Sequence, residues 1–455
     1  MLPLALILRG LGAEIAGSDR SRDQGRSPEK FAWLESLGIA MHPQDGSGVV
    51  SADQTLVASA AVENSVPEVI RAKQIGCARM RRADLLALLF NAAAVRIAVG
   101  GTSGKSTVTG MIGWIMTQAG RDPTIMNGAV MKNFVADDAP FASARVGGGS
   151  MSDSVFVSEV DESDGSIALY RPSVAVLGNV TLDHKSLEEL RALFGDFLAE
   201  ADIAAVNLDD PESAALASRA KTLVGFGIVS ADAQIGVTAG SIAEARTGLT
   251  ATILDRRDGS GHALALKIPG RHNLANALAA IAAASAAGVP VAEAVAALAT
   301  FAGLARRFDI VGTSPGGVTV IDDFGHNPDK IAATMATLRA HPGRIVAFFQ
   351  PHGYGPLRQM GAELAQTLAG ALMPDDIVIF SDPAYFGGTV DRTTGSAQIV
   401  AQIAAAGARA EHLPAREDCG ARLVALARPG DRIVIMGARD DTLTAFARDV
   451  LARLP

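Results

Sequence analysis

The chain has 455 residues, a formal net charge of −8 and a hydrophobic fraction of 49% carried mostly by Ala, Val, Leu and Ile, with few aromatics. That length exceeds one ordinary core and predicts about three domains of α/β type. No dense Lys/Arg stripe is present, which argues against a nucleic-acid partner, because neutralising phosphates needs clustered cations.

No run approaches the roughly 20 apolar residues that span a bilayer, and the start MLPLALILRGLGAEIAG lacks the basic n-region and cleavage site of a signal peptide. No membrane insertion and a cytoplasmic location are therefore expected. Cys77 and Cys419 stand far apart without ligand-spaced neighbours and read as two buried thiols.

Residues 1–91 read as a Rossmann-like unit. Helix LPLALILRGLG leads into strand AEIAGSD, helix SPEKFAWLESLG, strand TLVASAAV, and helices VPEVIRAKQIG and RADLLALLF. Such units normally open with a strand and a glycine turn. Here the chain starts in the helix, so the unit reads as truncated at its start.

Residues 92–303 read as a central mononucleotide-binding domain of the P-loop ATPase type. The β-rich run Val95 to Val99 leads into GGTSGKST, Gly100 to Thr107, and then an amphipathic helical pattern. In this setting Gly101, Thr102, Ser103 and Gly104 turn backbone N–H groups toward an anion. Lys105 neutralises phosphate charge, Ser106 can ligate Mg²⁺, and Thr107 completes the motif. Val99 stands where the full motif spacing has its first glycine, so a tight strand-to-helix turn with a surface lysine is the alternative.

Two strand ends follow. SEVDESDGS, Ser158 to Ser166, offers Glu159, Asp161, Glu162 and Asp164, a hard-cation set by chemistry and a solvated turn by frequency. NVTLDHKSLEEL, Asn179 to Leu190, places Asp183 and His184 at a helix head. These read as a metal or phosphate site, or as a cap with a surface histidine. GRHNLANAL, Gly270 to Leu278, sets Asn273 and Asn276 on one helical face, where two amides match the edge of an adenine or serve as cap and tolerated polar residue.

Residues 304–455 alternate strands VTVIDD, RIVAFFQ, DIVIFSD and RIVIMGA with helical segments, a second Rossmann-like, doubly wound pattern. Arg307, Asp323 and His326 lie beside its first strand. An arginine there can stabilise a transferring phosphate, or make an interdomain salt bridge.

Taken in order, GGTSGKST, SEVDESD, NVTLDH, VNLDDP, GRHNLANA, RRFD, DDFGHNP and FQPHGYG resemble the Mur ligase family. Within it they are most similar to the UDP-N-acetylmuramate–L-alanine ligase branch. GSD at Gly17 to Asp19, ASAAV at Ala58 to Val62 and RRADLL at Arg81 to Leu86 extend the resemblance into the first domain. The resemblance implies an ATP-dependent ligase of peptidoglycan precursor synthesis, with a UDP-linked sugar acid and an amino acid as small-molecule substrates, and ATP and Mg²⁺ as cofactors.

By the same resemblance, Lys105 and Ser106 bind phosphates and Mg²⁺, Glu159 and His184 support the metal, and Asn273 and Asn276 hold adenine. Arg307, Asp323 and His326 approach ATP from the third domain. Ser18, Asp19 and Ser59 fall in the sugar-nucleotide domain, and His352 and Arg358 in the loop expected to meet the amino acid.

The chain departs from the branch at several points. Ser103 replaces a histidine, Gly353 follows QPH where arginines are usual, and GARDD, Gly437 to Asp441, replaces small residues. No lysine matches the carbamoylated one of other branches. A muropeptide or other non-alanine ligase, or a regulatory nucleotide-binding paralogue, therefore stand as alternatives. The oligomeric state is open.

Overall fold

The computed structural model describes residues 1–60, 62–149, 154–181, 185–384 and 392–455. The chain forms two compact units. The first comprises Met1–Ala243, Leu249–Lys267 and Asn273–Gly303, and the second Glu244–Gly248, Ile268–His272 and Leu304–Pro455.

In the first unit, the strand Val95–Gly100 lies between Val155–Glu159 and Val174–Leu177, parallel to both. Ile97, Ala98 and Val99 are buried, as a central parallel strand covered on both faces requires. The parallel ladder continues outward through Thr124–Met126 on one side, and through Ile203–Asn207 and Leu223–Phe226 on the other. The chain thus leaves the central strand for one side of the sheet and later crosses to the other, a switch point at which ligands of open α/β sheets collect.

The antiparallel hairpin Gly248–Asp255 and Ser260–Leu266 lies outside the expected strands. Its half-buried alternation and the turn at Gly259, φ +78°, are nonetheless ordinary hairpin signals.

The first 91 residues form two separate two-stranded parallel ladders, Ala16–Ser18 with Ala40–His42 and Thr55–Ala58 with Ala78–Arg81. The strands at 40–42 and 78–81 are too short to show a period-2 pattern in the sequence. Helices Leu2–Gly10 and Arg82–Asn91 insert Ile7, Leu86 and Phe90 into the core beneath the central sheet. Phe90 meets Phe156 and Tyr170 edge-on at ring separations of 5.6 and 5.1 Å. Such aromatic pairs add about 0.5–1.5 kcal/mol beyond their burial.

The second unit is a six-stranded sheet. Its order is Asp309–Thr313, Thr319–Asp323, Arg432–Gly437, Ile345–Gln350, Ile377–Phe380 and Ala410–His412, antiparallel only at the first pair. The four expected strands form its middle, and the two edge strands are additions. Apolar clusters on both faces bury the sheet. Cys77 and Cys419 are both buried and unpaired. Among the described residues no helix is long and apolar enough to cross a membrane.

Candidate active site

The turn between Val95–Gly100 and the helix Lys105–Gln118 depends on two glycines. Gly101 has φ +122° and Gly104 φ +86°, conformations that side-chain-bearing residues rarely adopt. A Cβ on Gly101 would approach the Asn179 backbone at 3.2 Å, and one on Gly104 would lie 2.6 Å from Asn276 Oδ1.

Asn179 braces the loop. Its Oδ1 accepts from the Thr102 hydroxyl and the Ser103 N–H, each at 2.8 Å, and its Nδ2 donates to the Ser103 carbonyl at 3.0 Å. It follows the strand whose Leu177 pairs with Gly100. Sequence reading gave Asn179 no role, although a polar residue just past a strand end in NVTLDH is a usable signal.

Lys105 Nζ donates to the Gly101 carbonyl and to Glu162 Oε2, both at 2.7 Å. Ser106 Oγ donates to Glu159 Oε2 at 2.7 Å. The ladder explains this meeting, since Glu159 is in register with Val99 on the neighbouring strand. Thr107 is buried in the helix, and Asn127 Nδ2 donates to the Ser106 carbonyl at 2.9 Å. Of the remaining acids, Asp161 turns inward on its own loop, where the Ser163 N–H and hydroxyl donate to Oδ1. Burial opposes its ionisation, but those donors together with the Lys105 and Arg82 charges hold the carboxyl below the usual carboxylate range.

A hydroxyl beside a carboxylate suits Mg²⁺, which takes one or two carboxylates and completes its shell with phosphate oxygens and water. The backbone next to Glu159 is kept clear by Gly128, where a Cβ would collide with the carboxylate. Among the described residues no group of three His, Cys, Asp or Glu converges on one point. Asp183 and His184 lie outside the described residues.

Asn273 and Asn276 occupy the helix Arg271–Ala286, and Asn276 Nδ2 donates to Asn273 Oδ1 at 3.3 Å. Asn276 therefore flanks the phosphate loop through its closeness to Gly104. In the first ladder, Ser18 Oγ donates to Glu68 Oε1 at 2.8 Å, and Asp19 caps the short helix Arg20–Asp23 by accepting the Ser21 N–H at 2.8 Å. Ser59 is half-buried just past Thr55–Ala58. VNLDDP has a structural part, in which Asp210 caps Pro211–Leu216 and accepts the Val180 N–H at 3.2 Å.

The second unit carries its own polar cluster at the C-terminal ends of its strands. Asp323 accepts from the Phe308 N–H at 2.7 Å, the Gly325 N–H at 2.8 Å and the Thr334 hydroxyl at 2.8 Å. Its carboxylate is thus engaged with its surroundings. Arg307 stacks over Phe324, its guanidinium carbon 4.7 Å from the ring centroid.

Arg306, which sequence reading passed over for its neighbour, is buried. It donates to the Gly437 carbonyl at 2.7 Å and the Asp440 carbonyl at 3.0 Å, and pairs with Asp322 at 3.4 Å. Arg306 and Phe308 have φ of +61° and +47°. Each non-glycine residue held so costs about 1–3 kcal/mol, a strain that tends to collect at functional sites.

His326 Nδ1 lies 2.8 Å from the Phe324 carbonyl, which identifies it as the protonated nitrogen and leaves Nε2 as an acceptor. Its ring meets His352 at 5.1 Å, nearly perpendicular. Burial, with Lys330 and other cations adding, lowers His326 to about 3, and burial with Arg439 and Lys330 lowers His352 to about 4. Both rings are neutral near pH 7. They line a small recess with Pro328, Phe349, Leu357 and Met360. Arg358 lies on the exposed side of the helix Tyr354–Ala371, outside that lining.

Three family models match in sequence. They are the Mur ligase family catalytic domain over residues 1–94, the Mur ligase middle domain over 99–284, and the Mur ligase glutamate ligase domain over 306–439. The UDP-N-acetylmuramate–L-alanine ligase of Streptomyces avermitilis is 33% identical over 470 residues, covering 100% of this chain and 95% of the relative. That of Agrobacterium fabrum is 34% identical over 465 residues, covering 98% and 93%.

Among solved structures, a UDP-N-acetylmuramate–alanine ligase from Thermotoga maritima superposes with a TM-score of 0.80 at 24% identity, covering 100% of this chain and 96% of that one. A murein peptide ligase from Psychrobacter arcticus superposes with a TM-score of 0.72 at 24% identity over the same shares. These two likenesses are of fold, and it is the full-length sequence matches that settle kinship. With its phosphate loop, its three matched segments and its three-domain α/β fold, the chain belongs to the Mur ligase family of ATP-dependent ligases.

Proposed function

We propose that the chain couples L-alanine to the lactyl carboxylate of UDP-N-acetylmuramate at the expense of ATP, in the cytoplasm, as a step of peptidoglycan precursor synthesis. The observation that carries this reading is full-length identity of about a third to relatives that bear that name, joined to an intact Lys105, Ser106 and Glu159 constellation.

In this reaction a carboxylate oxygen attacks the γ-phosphorus and ADP leaves. The amine nitrogen then attacks the acyl carbon of the acyl phosphate, inorganic phosphate leaves, and the amine gives up a proton. Phosphate is a far better leaving group than the oxygen of a free carboxylate, so ATP supplies the activation. The protein's share is mainly positioning and charge neutralisation.

Lys105 and the N–H groups of the loop from Gly101 to Thr107 receive phosphate charge, while Asn273 and Asn276 face the base. Ser106 and Glu159, with His184, would hold Mg²⁺, which when bound offsets charge on the phosphate oxygens. Arg307 supplies a further cation. Neutral His326 offers Nε2 as an acceptor for an amine hydrogen, beside His352. Ser18, Asp19 and Ser59 serve the sugar nucleotide, and Asp323 acts by fixing the backbone just after Arg307 through the Phe308 N–H.

Phosphate release from ATP and Mg²⁺ tests the reading, with UDP-N-acetylmuramate and a panel of amino acids and short peptides. Release that requires both UDP-N-acetylmuramate and L-alanine supports it. Release with a peptide instead of alanine moves the chain to muropeptide ligation, the outcome to which Gly353 after the QPH segment would then be relevant. No release with any pair overturns ligation of this acceptor.

A further inference from the structure

Lys105 reaches the mouth of the phosphate loop already paired. Its Nζ lies 2.7 Å from Glu162 Oε2, and the side chains of the two residues are only 20% and 7% exposed. Glu162 belongs to neither the hydroxyl and carboxylate pair of Ser106 and Glu159 nor the backbone cradle. It comes from the loop after Val155–Glu159, three residues beyond Glu159, which carries it to the lysine.

A lysine ammonium has three donors. Two are occupied, by Glu162 and the Gly101 carbonyl. Phosphate arriving at Lys105 therefore meets a cation whose charge a carboxylate already offsets in a partly desolvated setting, where such pairing counts for more than at the surface.

We propose that Glu162 is a positioning residue that holds Lys105 as an ion pair, and that nucleotide phosphate must displace it to take the lysine. The pair fixes the ammonium beside the Gly101 carbonyl. It also sets a penalty on nucleotide binding, since each bound phosphate competes with a resident carboxylate. Glu162 thereby acts on affinity through Lys105, without itself touching the phosphate. The inference rests on the loop being the nucleotide site, and its test separates the two.

Calorimetric titration of the full chain with ATP in EDTA, and again with excess Mg²⁺, compares wild type, Glu162→Gln, Lys105→Ala and the double variant. Removing the competing charge in E162Q is expected to tighten ATP in EDTA by roughly three- to ten-fold, the scale of one half-buried ion pair. The KM for ATP should fall without a matching rise in kcat. In the Lys105→Ala background the gain from the same substitution should be distinctly smaller, because the lysine through which it chiefly acts is gone.

Unchanged or weaker ATP binding in folded E162Q overturns the proposal, and a loss confined to the Mg²⁺ titration does so by making Glu162 a metal ligand. Should E162Q fail to fold, Glu162→Asp, which keeps the charge but withdraws it by one methylene, is expected to tighten ATP by a smaller factor, and its failure to do so is equally decisive. If Lys105→Ala binds ATP as wild type does, the nucleotide reading of the loop itself falls.

Discussion

Ser106 Oγ and Glu159 Oε2 are joined at 2.7 Å across two elements, the first turn of a helix and the end of the neighbouring strand. If this pair receives Mg²⁺, each partner is needed for a different reason, the hydroxyl as a neutral ligand and the carboxylate as the charge. Ser106→Ala and Glu159→Gln should each raise the Mg²⁺ needed for half-maximal turnover by about ten-fold or more, the range found when metal-site groups are removed. Thermal unfolding should move little in either variant. A Mg²⁺ titration of ATP turnover that superimposes on wild type would remove the pair from the metal site.

Gly104 joins two requirements in one residue. Its φ of +86° disfavours any side chain, and a Cβ there would press on Asn276 Oδ1 at 2.6 Å. Gly104→Ala should cost about 1–3 kcal/mol of stability and weaken ATP binding, because the loop's N–H groups turn with the backbone. Adding Asn276→Gly should restore only the steric part of the stability. Full recovery in the double variant would show that the backbone conformation is not the constraint.

The phosphate loop could be read from eight consecutive residues because its chemistry is local: strand, glycines, lysine and hydroxyl follow one another. What could not be read depends on sheet order. Asn179 and Glu162 reach the loop from neighbouring elements, and the pairings Gly100 with Leu177 and Val99 with Glu159 exist only once the strands are side by side. Asp323 was legible as an acid at a strand end, but not as the acceptor of two backbone N–H groups and a hydroxyl. Between Arg306 and Arg307 the sequence offers no distinction. Burial separates them, since both lie over the Phe324 ring but Arg306 is enclosed and Arg307 only half-buried. The hairpin at 248–266 carries period-2 alternation, but its strands pair antiparallel and stand outside the strand-and-helix alternation that marks the rest of the sheet.

Arg306 holds the ends of two strands together through the Gly437 and Asp440 carbonyls and Asp322, a carboxylate fully enclosed by protein. Burial pushes the Asp322 carboxyl up, while Arg306 and the Thr444 hydroxyl favour its charged form. Arg306→Met should therefore destabilise the chain by about 3–5 kcal/mol, most of it from leaving that carboxylate without its cation. Asp322→Asn added to it should return part of the loss. If the double variant melts no higher than the single one, the burden lies in the lost carbonyl contacts instead.

His326 and His352 give the chain a defined response to acid. Their folded-state values, about 3 and about 4, lie below the roughly 6.5 of an exposed imidazole. Between those limits the unfolded chain binds protons that the folded chain refuses, so stability is fully present above about pH 6.5 and is lost as pH falls toward 4 and then 3. One fully shifted histidine contributes a slope of about 1.4 kcal/mol per pH unit, and partial exposure of both rings reduces this to about 1 or less each. Thermal unfolding followed from pH 8 to pH 4 should show this decline. His326→Asn, whose amide can keep the bond to the Phe324 carbonyl without titrating, should flatten the slope over that range. Turnover should show no limb near pH 6.5 that His326→Asn or His352→Asn removes, since both rings stay neutral through it. A limb there that disappears in either variant would show that the ring in question titrates in the working enzyme and acts as an acid or base, rather than as a neutral hydrogen-bonding group.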